Sequence, residues 1–418
     1  MKLRNRFGLV GLGIVIFLIV TPALVLYARG FKIDWKDKTF VKTGALVVRT
    51  EPSKADIFIN DEKHKSDTPA NIRFLIPADY NIRVEKNGYQ SWTKRLSIKS
   101  QLVTWANLNR EFVTLFFNNP GLTKTTETKA VTISSNNKEI IYLTPDHIAK
   151  IDVDGGDYSN LLKINNPNLS LLTSNTEIKW QNSSAVINSL ANKANRDVLE
   201  SMATKINHLE IDNNNIVLKV GNDLYILKSG NLISIDKTIN DFTLASDDVW
   251  YIKETLLKHY NISTNKFETI NSELPLSKTS EIIRTPDQIY LILDSTLYLF
   301  NGNLETIYSP VLSGQWDESS SSLVYTNNHE VYLYQPSSKD SMLIVRSLTP
   351  IQSPIVNNHT GYVFYQNENK IKAIEIDGRD HRNIFTIADA LSDFTLSQDG
   401  KKLFTIGSSE IKQYKIRD

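Results

Sequence analysis

Residues 7–27 read FGLVGLGIVIFLIVTPALVLY, an apolar run with no charge inside it. As a helix rising about 1.5 Å per residue it would span roughly 31 Å, the thickness of a bilayer's hydrocarbon core. A chain that begins this way must place everything after the run on one side of a membrane. Lys2, Arg4 and Arg6 crowd residues 1–6, whereas Arg29, Lys32, Lys36 and Lys38 beyond the run are accompanied by Asp34 and Asp37. Only Lys and Arg count in the positive-inside rule, so the bias rests on a short, purely basic leading tail. It predicts a cytoplasmic N-terminus and an extracytoplasmic C-terminal body.

A cleaved signal peptide is the rival, with Thr21-Pro22-Ala23 as its cleavage site. The apolar run continues through Leu24-Val25-Leu26-Tyr27, beyond an ordinary signal core, which favours an uncleaved anchor. Gly8, Gly11 and Gly13 lack the four-residue spacing of a helix-dimer face. No cysteine occurs in the 418 residues, which excludes disulfides, thiolate metal sites, cysteine nucleophiles and a lipid-modified cysteine together. With 47 basic against 46 acidic residues there is no basic stripe, and no nucleic-acid partner is expected. Polar turns between short runs of β-branched and aromatic residues predict an all-β body.

Residues 28–43 read as a juxtamembrane linker and residues 44–110 as a small β-module. Strands are expected at 45–49 (ALVVR), 56–60 (DIFIN), 72–76 (IRFLI), 80–85 (YNIRVE), 95–98 and 102–108. Turns are expected at Thr50-Glu51-Pro52-Ser53-Lys54, Thr68-Pro69, Pro77-Ala78-Asp79 and Asn87-Gly88. In order and spacing, Pro52 before Ala55, Ile57-Phe58-Ile59-Asn60-Asp61, Thr68-Pro69, Pro77 and Gly88-Tyr89 with Trp92 resemble the PEGA domain. Two turns depart from that pattern, since the naming motif reads Pro52-Ser53-Lys54-Ala55 and the Pro-Gly turn reads Pro77-Ala78-Asp79. The resemblance implies a β-sandwich in a surface-associated protein outside the membrane. Tyr89, Trp92 and Trp105 could form a carbohydrate-stacking face, but large aromatics more often close a core, and that reading is preferred.

Residues 111–418 carry an internal repeat. Residues 151–164 (IDVDGGDYSNLLKI) match 374–387 (IEIDGRDHRNIFTI), with Asn160 and Asn383 in register, and DFTL occurs at both 241–244 and 393–396. The offsets, 223 and 152, are near-multiples of about 37–38, the length of a four-stranded propeller blade. Apolar runs at 140–143, 185–187, 216–218, 249–252, 289–292, 323–325, 362–365 and 403–406 read as the opening strands of eight units. The second unit is irregular, with a short inserted helix expected at 196–205 (RDVLESMATK). The last stops after its third strand, and 112–117 (FVTLFF) is expected to complete it as a closing clasp. Eight blades are predicted, or seven if the second unit is an insertion. Ser397-Gln398-Asp399-Gly400-Lys401-Lys402-Leu403 and Asp377-Gly378 resemble WD40-like or TolB-like propellers, a likeness of fold that carries no function.

Asp152, Asp154 and Asp157 around Gly155-Gly156 resemble a calcium loop, but its twelfth position is Lys163 where a bidentate Glu is needed, so a β-turn is expected. His64, His147, His208, His259, His329, His359 and His381 show no metal-ligand spacing and read as surface residues. No nucleophile elbow or phosphate-cradling loop occurs. No catalytic, cofactor or metal residue is therefore assigned. The sequence predicts a bacterial single-pass membrane protein with a PEGA-type spacer and a propeller that recognises an envelope polysaccharide, peptidoglycan or a protein. A propeller hydrolase or lyase acting on envelope glycans or peptides, and a structural protein without a ligand, are the alternatives.

Overall fold

The computed structural model describes residues 3–34, 38–108, 112–128, 130–133, 139–143, 147–156, 158–163, 206–212, 215–228, 231–271, 273–407 and 409–418. The chain forms two units: residues 1–118 with the loop 377–383 and Asp418, and residues 119–376 with 384–417.

The first unit begins with α1 (Leu3–Ala28), which has Pro22 inside it. Its stretch Gly11–Ala28 is long and apolar enough to cross a membrane, and none of it is buried against protein. That exposure separates it from the core helix of a globular domain and is consistent with a membrane anchor. A hairpin comes next, β1 (Phe31–Asp34) on β2 (Thr39–Lys42), with Phe31 opposite Lys42 and Ile33 opposite Phe40. Thr43 ties the hairpin off, since its amide and its hydroxyl both donate to the Gly30 carbonyl at 2.8 Å.

Beyond it lie β3 (Gly44–Val48), β4 (Thr50–Glu51), β5 (Asp56–Ile59), β6 (Glu62–Lys63), β7 (Ala70–Leu75), β8 (Ala78–Glu85), β9 (Trp92–Ile98), β10 (Val103–Trp105) and β11 (Val113–Thr114). They form sheets in the orders β10-β3-β7 and β6-β5-β8-β9, plus the pair β11-β4. Period-two alternation sends Leu46 and Val48, Ile82 and Val84, and Trp92, Leu96 and Ile98 into one shared core. The turn expected at Pro77-Ala78-Asp79 is shorter than read, because β8 starts at Ala78 and pairs there with Ile98. Gly44 is required by close approach: a Cβ there would lie 2.4 Å from the Lys99 carbonyl oxygen.

In the second unit the described residues form seven four-stranded sheets. Six are consecutive antiparallel meanders within 130–163, 206–236, 241–271, 280–308, 313–346 and 351–389. The seventh joins three strands within 393–415 to β12 (Gly121–Glu127), which pairs with Glu410–Lys415. Cores are shared between successive sheets, as where Ile140 and Ile151 pack with Phe404 and Ile411. Tyr290 and Leu297 pack with Leu323 and Tyr325 in the same way.

The repeats fall on equivalent places. Both DFTL segments lie in first strands, and the described part of 151–164, ending at Lys163, and 374–387 each take in the end of a third strand and a fourth. The apolar runs, however, are second strands, not openers. A second strand has neighbours on both edges and packed sheets on both faces, as Ser322–Thr326, buried throughout, illustrates. Only seven of the eight runs can be placed, because 185–187 and the helix expected at 196–205 lie outside the described residues.

The clasp is also corrected. A strand from the N-terminal side does complete the last sheet, but it is β12 and not residues 112–117. Val113 and Thr114 pair in parallel with Thr50 and Glu51, and Val113 and Leu115 enter the core of the first unit. Those alternating apolar side chains are satisfied by the sandwich, which leaves the more polar 121–127 for the exposed sheet edge.

Gly44→Ala should lower stability by about 1–3 kcal/mol, because the clash is with backbone. Gly121→Ala, where a Cβ meets open space, should be near neutral. Thermal unfolding in detergent micelles distinguishes the two.

Candidate functional site

In the first unit β9 and β10 each end their sheet, so both present an edge on the same side of the sandwich. Between them lies a cleft of about 950 Å³. Its apolar side is Leu102, Val103, Trp105 and Leu108, all substantially exposed, with Trp105 at 39 %. Arg95, Lys99 and Arg379 also line it. Alternation along β10 turns Val103 and Trp105 outward, and the Arg49 guanidinium lies 5.3 Å from the Trp105 ring centre.

Next to the cleft residue Arg379 lies a buried ion pair. Lys94 shares the inward register of Trp92, Leu96 and Ile98, and it is 1 % exposed. Its ammonium donates to the Asp377 carbonyl at 2.8 Å and lies 3.5 Å from the Asp377 carboxylate. That carboxylate also accepts from Arg379 Nη2 at 2.7 Å and from the Leu108 amide at 3.3 Å. Arg379 reaches on to the carbonyls of Trp105 and Ala106, both at 3.1 Å, and so fixes β10 from its open edge. Asn383 and Thr93 exchange amide–carbonyl bonds, and the Arg95 amide donates to Asp380 at 3.0 Å. Burial pushes the Asp377 carboxyl up, but the Arg379 bonds and the Lys94 charge outweigh it and hold it below the ordinary value.

The three aromatics weighed as a stacking face part company. Trp92 is fully buried in the core. Tyr89 is half-buried, lies 4.8 Å from the Phe117 ring and donates its hydroxyl to the Asp418 carboxylate. Trp105 alone of the three stands exposed beside the cleft. Core packing therefore explains Trp92 and much of Tyr89, and not Trp105. The sequence reading missed Lys94 and Arg379, although the Trp92-x-Lys94-x-Leu96-x-Ile98 alternation already aimed Lys94 at the core.

In the second unit the chain turns back after Asp152, with the Gly156 amide donating to the Asp152 carbonyl at 2.7 Å. Asp152 Oδ1 accepts from the Asp154 and Gly155 amides at 2.9 and 3.0 Å. The Lys402 ammonium donates to the carbonyls of Asp154 and Gly155 at 3.0 and 2.6 Å. Asp157 lies outside the described residues. Among the described residues no group of three or more His, Asp or Glu could hold a metal ion.

His329, His359 and His381 are exposed and His64 is half-buried, while His147 and His208 have side chains outside the description. His259 departs from the surface reading: its side chain is 16 % exposed, 2.8 Å from Asp248, and its ring stacks on Trp250 at 4.7 Å. Arg284 lies over the same indole and 3.8 Å from Asp248. The Asp248 and Glu268 carboxylates lie on the two ring nitrogens' sides of His259, at 2.8 and 3.9 Å. Asp236 similarly binds Lys253 at 2.7 Å, Lys258 at 2.9 Å and the Tyr251 hydroxyl at 3.0 Å. Burial raises its carboxyl and these bonds, dominated by the two lysines, lower it further than burial raises it.

Residues 43–111 match the PEGA domain family. The chain carries a PEGA domain. No curated protein sequence matches the chain. Among solved structures, a catalytically inactive virginiamycin B lyase from Staphylococcus aureus with quinupristin is similar at 12 % identity and a TM-score of 0.42, covering 70 % of this chain and 99 % of that one. The mitotic checkpoint complex is similar at 11 % identity and a TM-score of 0.45, covering 75 % of this chain and 95 % of the matched one. The PEGA match takes in β3 to β10, including both edges of the cleft.

Asp377→Asn should cost about 3–5 kcal/mol, because it leaves Lys94 buried without its counter-charge. A depressed carboxyl stabilises the fold above its unfolded pKa of about 3.9, and that contribution is lost as pH falls towards the folded value. Unfolding midpoints recorded between neutral and acidic pH should therefore drop in the parent protein and drop less in Asp377→Asn.

Proposed function

We propose that this chain is a membrane-anchored binding or scaffolding protein of the bacterial cell envelope, with its C-terminal body outside the cytoplasmic membrane. The observation that carries this reading is α1, which over Gly11–Ala28 is long and apolar enough to cross a membrane with none of it buried, and which the β1–β2 hairpin joins to the PEGA domain. The Thr43–Gly30 bonds and the stacking of Tyr27 on Phe74 at 5.0 Å make that join. Lys2, Arg4 and Arg6 support a cytoplasmic N-terminus. The PEGA domain serves as the spacer.

The second unit is read as a β-propeller that acts as a recognition platform. This reading is supported by the run of four-stranded meanders, whose first strands touch in succession from the sheet that begins at Ile206 to the one that begins at Asp393, and by the completion of the last sheet by β12. An envelope polysaccharide, peptidoglycan or a protein is the proposed partner. A non-catalytic role is preferred because the lowered carboxylates Asp236 and Asp377 are bound by lysine or arginine and so are held as bracing anions.

Protease treatment of intact cells carrying separate N- and C-terminal tags checks the topology. The C-terminal tag should be digested in intact cells and the N-terminal tag only after lysis. The reverse pattern refutes the assignment.

A further inference from the structure

Exposed apolar and basic side chains lie on the hairpin after α1 and at the start of β10 beside the cleft. On the hairpin, Phe31, Ile33, Phe40 and Lys42 share one face, because Phe31 is opposite Lys42 and Ile33 is opposite Phe40. Phe40 is 62 % exposed, more than a side chain needs to be on a hairpin that has a domain beside it. Lys42 Nζ donates to Gln101 Oε1 at 3.1 Å, and the Gln101 amide donates to the Thr43 carbonyl at 2.9 Å. These bonds bring that face alongside Leu102 and Val103, each 56 % exposed at the start of β10. Residues 29–42 carry Arg29, Lys32, Lys36, Lys38 and Lys42 against Asp34 and Asp37, and the exposed Lys99 adds to them from the β9 side.

We infer that Phe40, Leu102 and Val103, rimmed by Lys38, Lys42 and Lys99, form a surface that seats the PEGA domain on an anionic lipid bilayer. The inference rests on α1 spanning that bilayer and goes beyond it by naming what covers the apolar edge of the domain. Two observations select lipid over another occupant. The surface is continuous with the helix that enters the membrane, only the Gly30–Thr43 closure intervening. Its charge is complementary to acidic headgroups, and aromatic side chains interleaved with lysine suit the interfacial layer, where rings lie at headgroup depth and ammonium groups reach phosphate. Fixing the domain this way removes the rotation that a single helix leaves free, so the spacer would hold one orientation to the membrane.

The chain contains no cysteine, so one introduced cysteine carries one spin label. Full-length protein is reconstituted one chain per nanodisc, in phosphatidylcholine with or without phosphatidylglycerol. Labels are placed at Ile16→Cys, Phe40→Cys, Leu102→Cys and Asn87→Cys, the last in the exposed turn at the opposite end of β9. Collision with oxygen against a water-soluble nickel complex reports depth. Labels at 40 and 102 should lose nickel collisions and gain oxygen collisions, more so with phosphatidylglycerol, while label 87 stays aqueous and label 16 stays in lipid. Replacing Lys38, Lys42 and Lys99 together by Gln should abolish the phosphatidylglycerol dependence. If labels 40 and 102 are aqueous while label 16 is in lipid, the seating is wrong and the span stands. An aqueous label 16 overturns both. Protection of label 102 that appears only with two chains per disc would assign the surface to a second copy and overturn the lipid assignment.

Discussion

A strand edge left unpaired exposes a row of backbone donors and acceptors, and this chain is organised by how its edges are met. In the second unit the three strands within 393–415 would leave Glu410–Lys415 open. β12 covers it, from Gly121 opposite Lys415 to Glu127 opposite Glu410. Contacts of that length, such as Thr123 with Gln413 at a separation of 290 residues, close a long loop at an entropic cost that local strand pairing does not carry. Shared cores between neighbouring sheets offset it, with Phe404 and Ile411 packed against Ile140 and Ile151.

The PEGA domain meets the same constraint differently. β9 and β10 end their sheets, and the loop 377–383 supplies partners to both: Asp377 to Lys94, Arg379 to the carbonyls of Trp105 and Ala106, and Asn383 to Thr93. Charge is buried to do this. Lys94 inside the sandwich would be strongly unfavourable alone, and it is tolerated because a carboxylate and a carbonyl meet its ammonium. Beyond the reach of that loop, the exposed part of the β10 edge remains with its apolar residues and basic rim.

Much of the first unit was legible locally. Strands β3, β5, β7, β8 and β9 arise from alternation and turn residues, and the PEGA resemblance was carried by Pro52, Ala55, the 57–61 segment, Thr68-Pro69 and Gly88-Tyr89. The repeat in the second unit was legible too, although its apolar runs mark the most buried strand of each sheet and not the first. The cleft was not legible. Trp105 and Trp92 look alike in sequence, and only their places on an edge strand and on a core face distinguish them.

By itself the sequence determined the apolar helix, the mostly β character of the described residues beyond it, the PEGA domain and the repeated units, because hydrophobic periodicity and turn chemistry act over a few residues. Tertiary structure alone decided which strand completes the last sheet, where 112–117 goes, and that Lys94 meets Asp377 across 283 residues. Those choices turn on which edges and buried charges find partners, and partners so far apart leave no periodic trace in the chain.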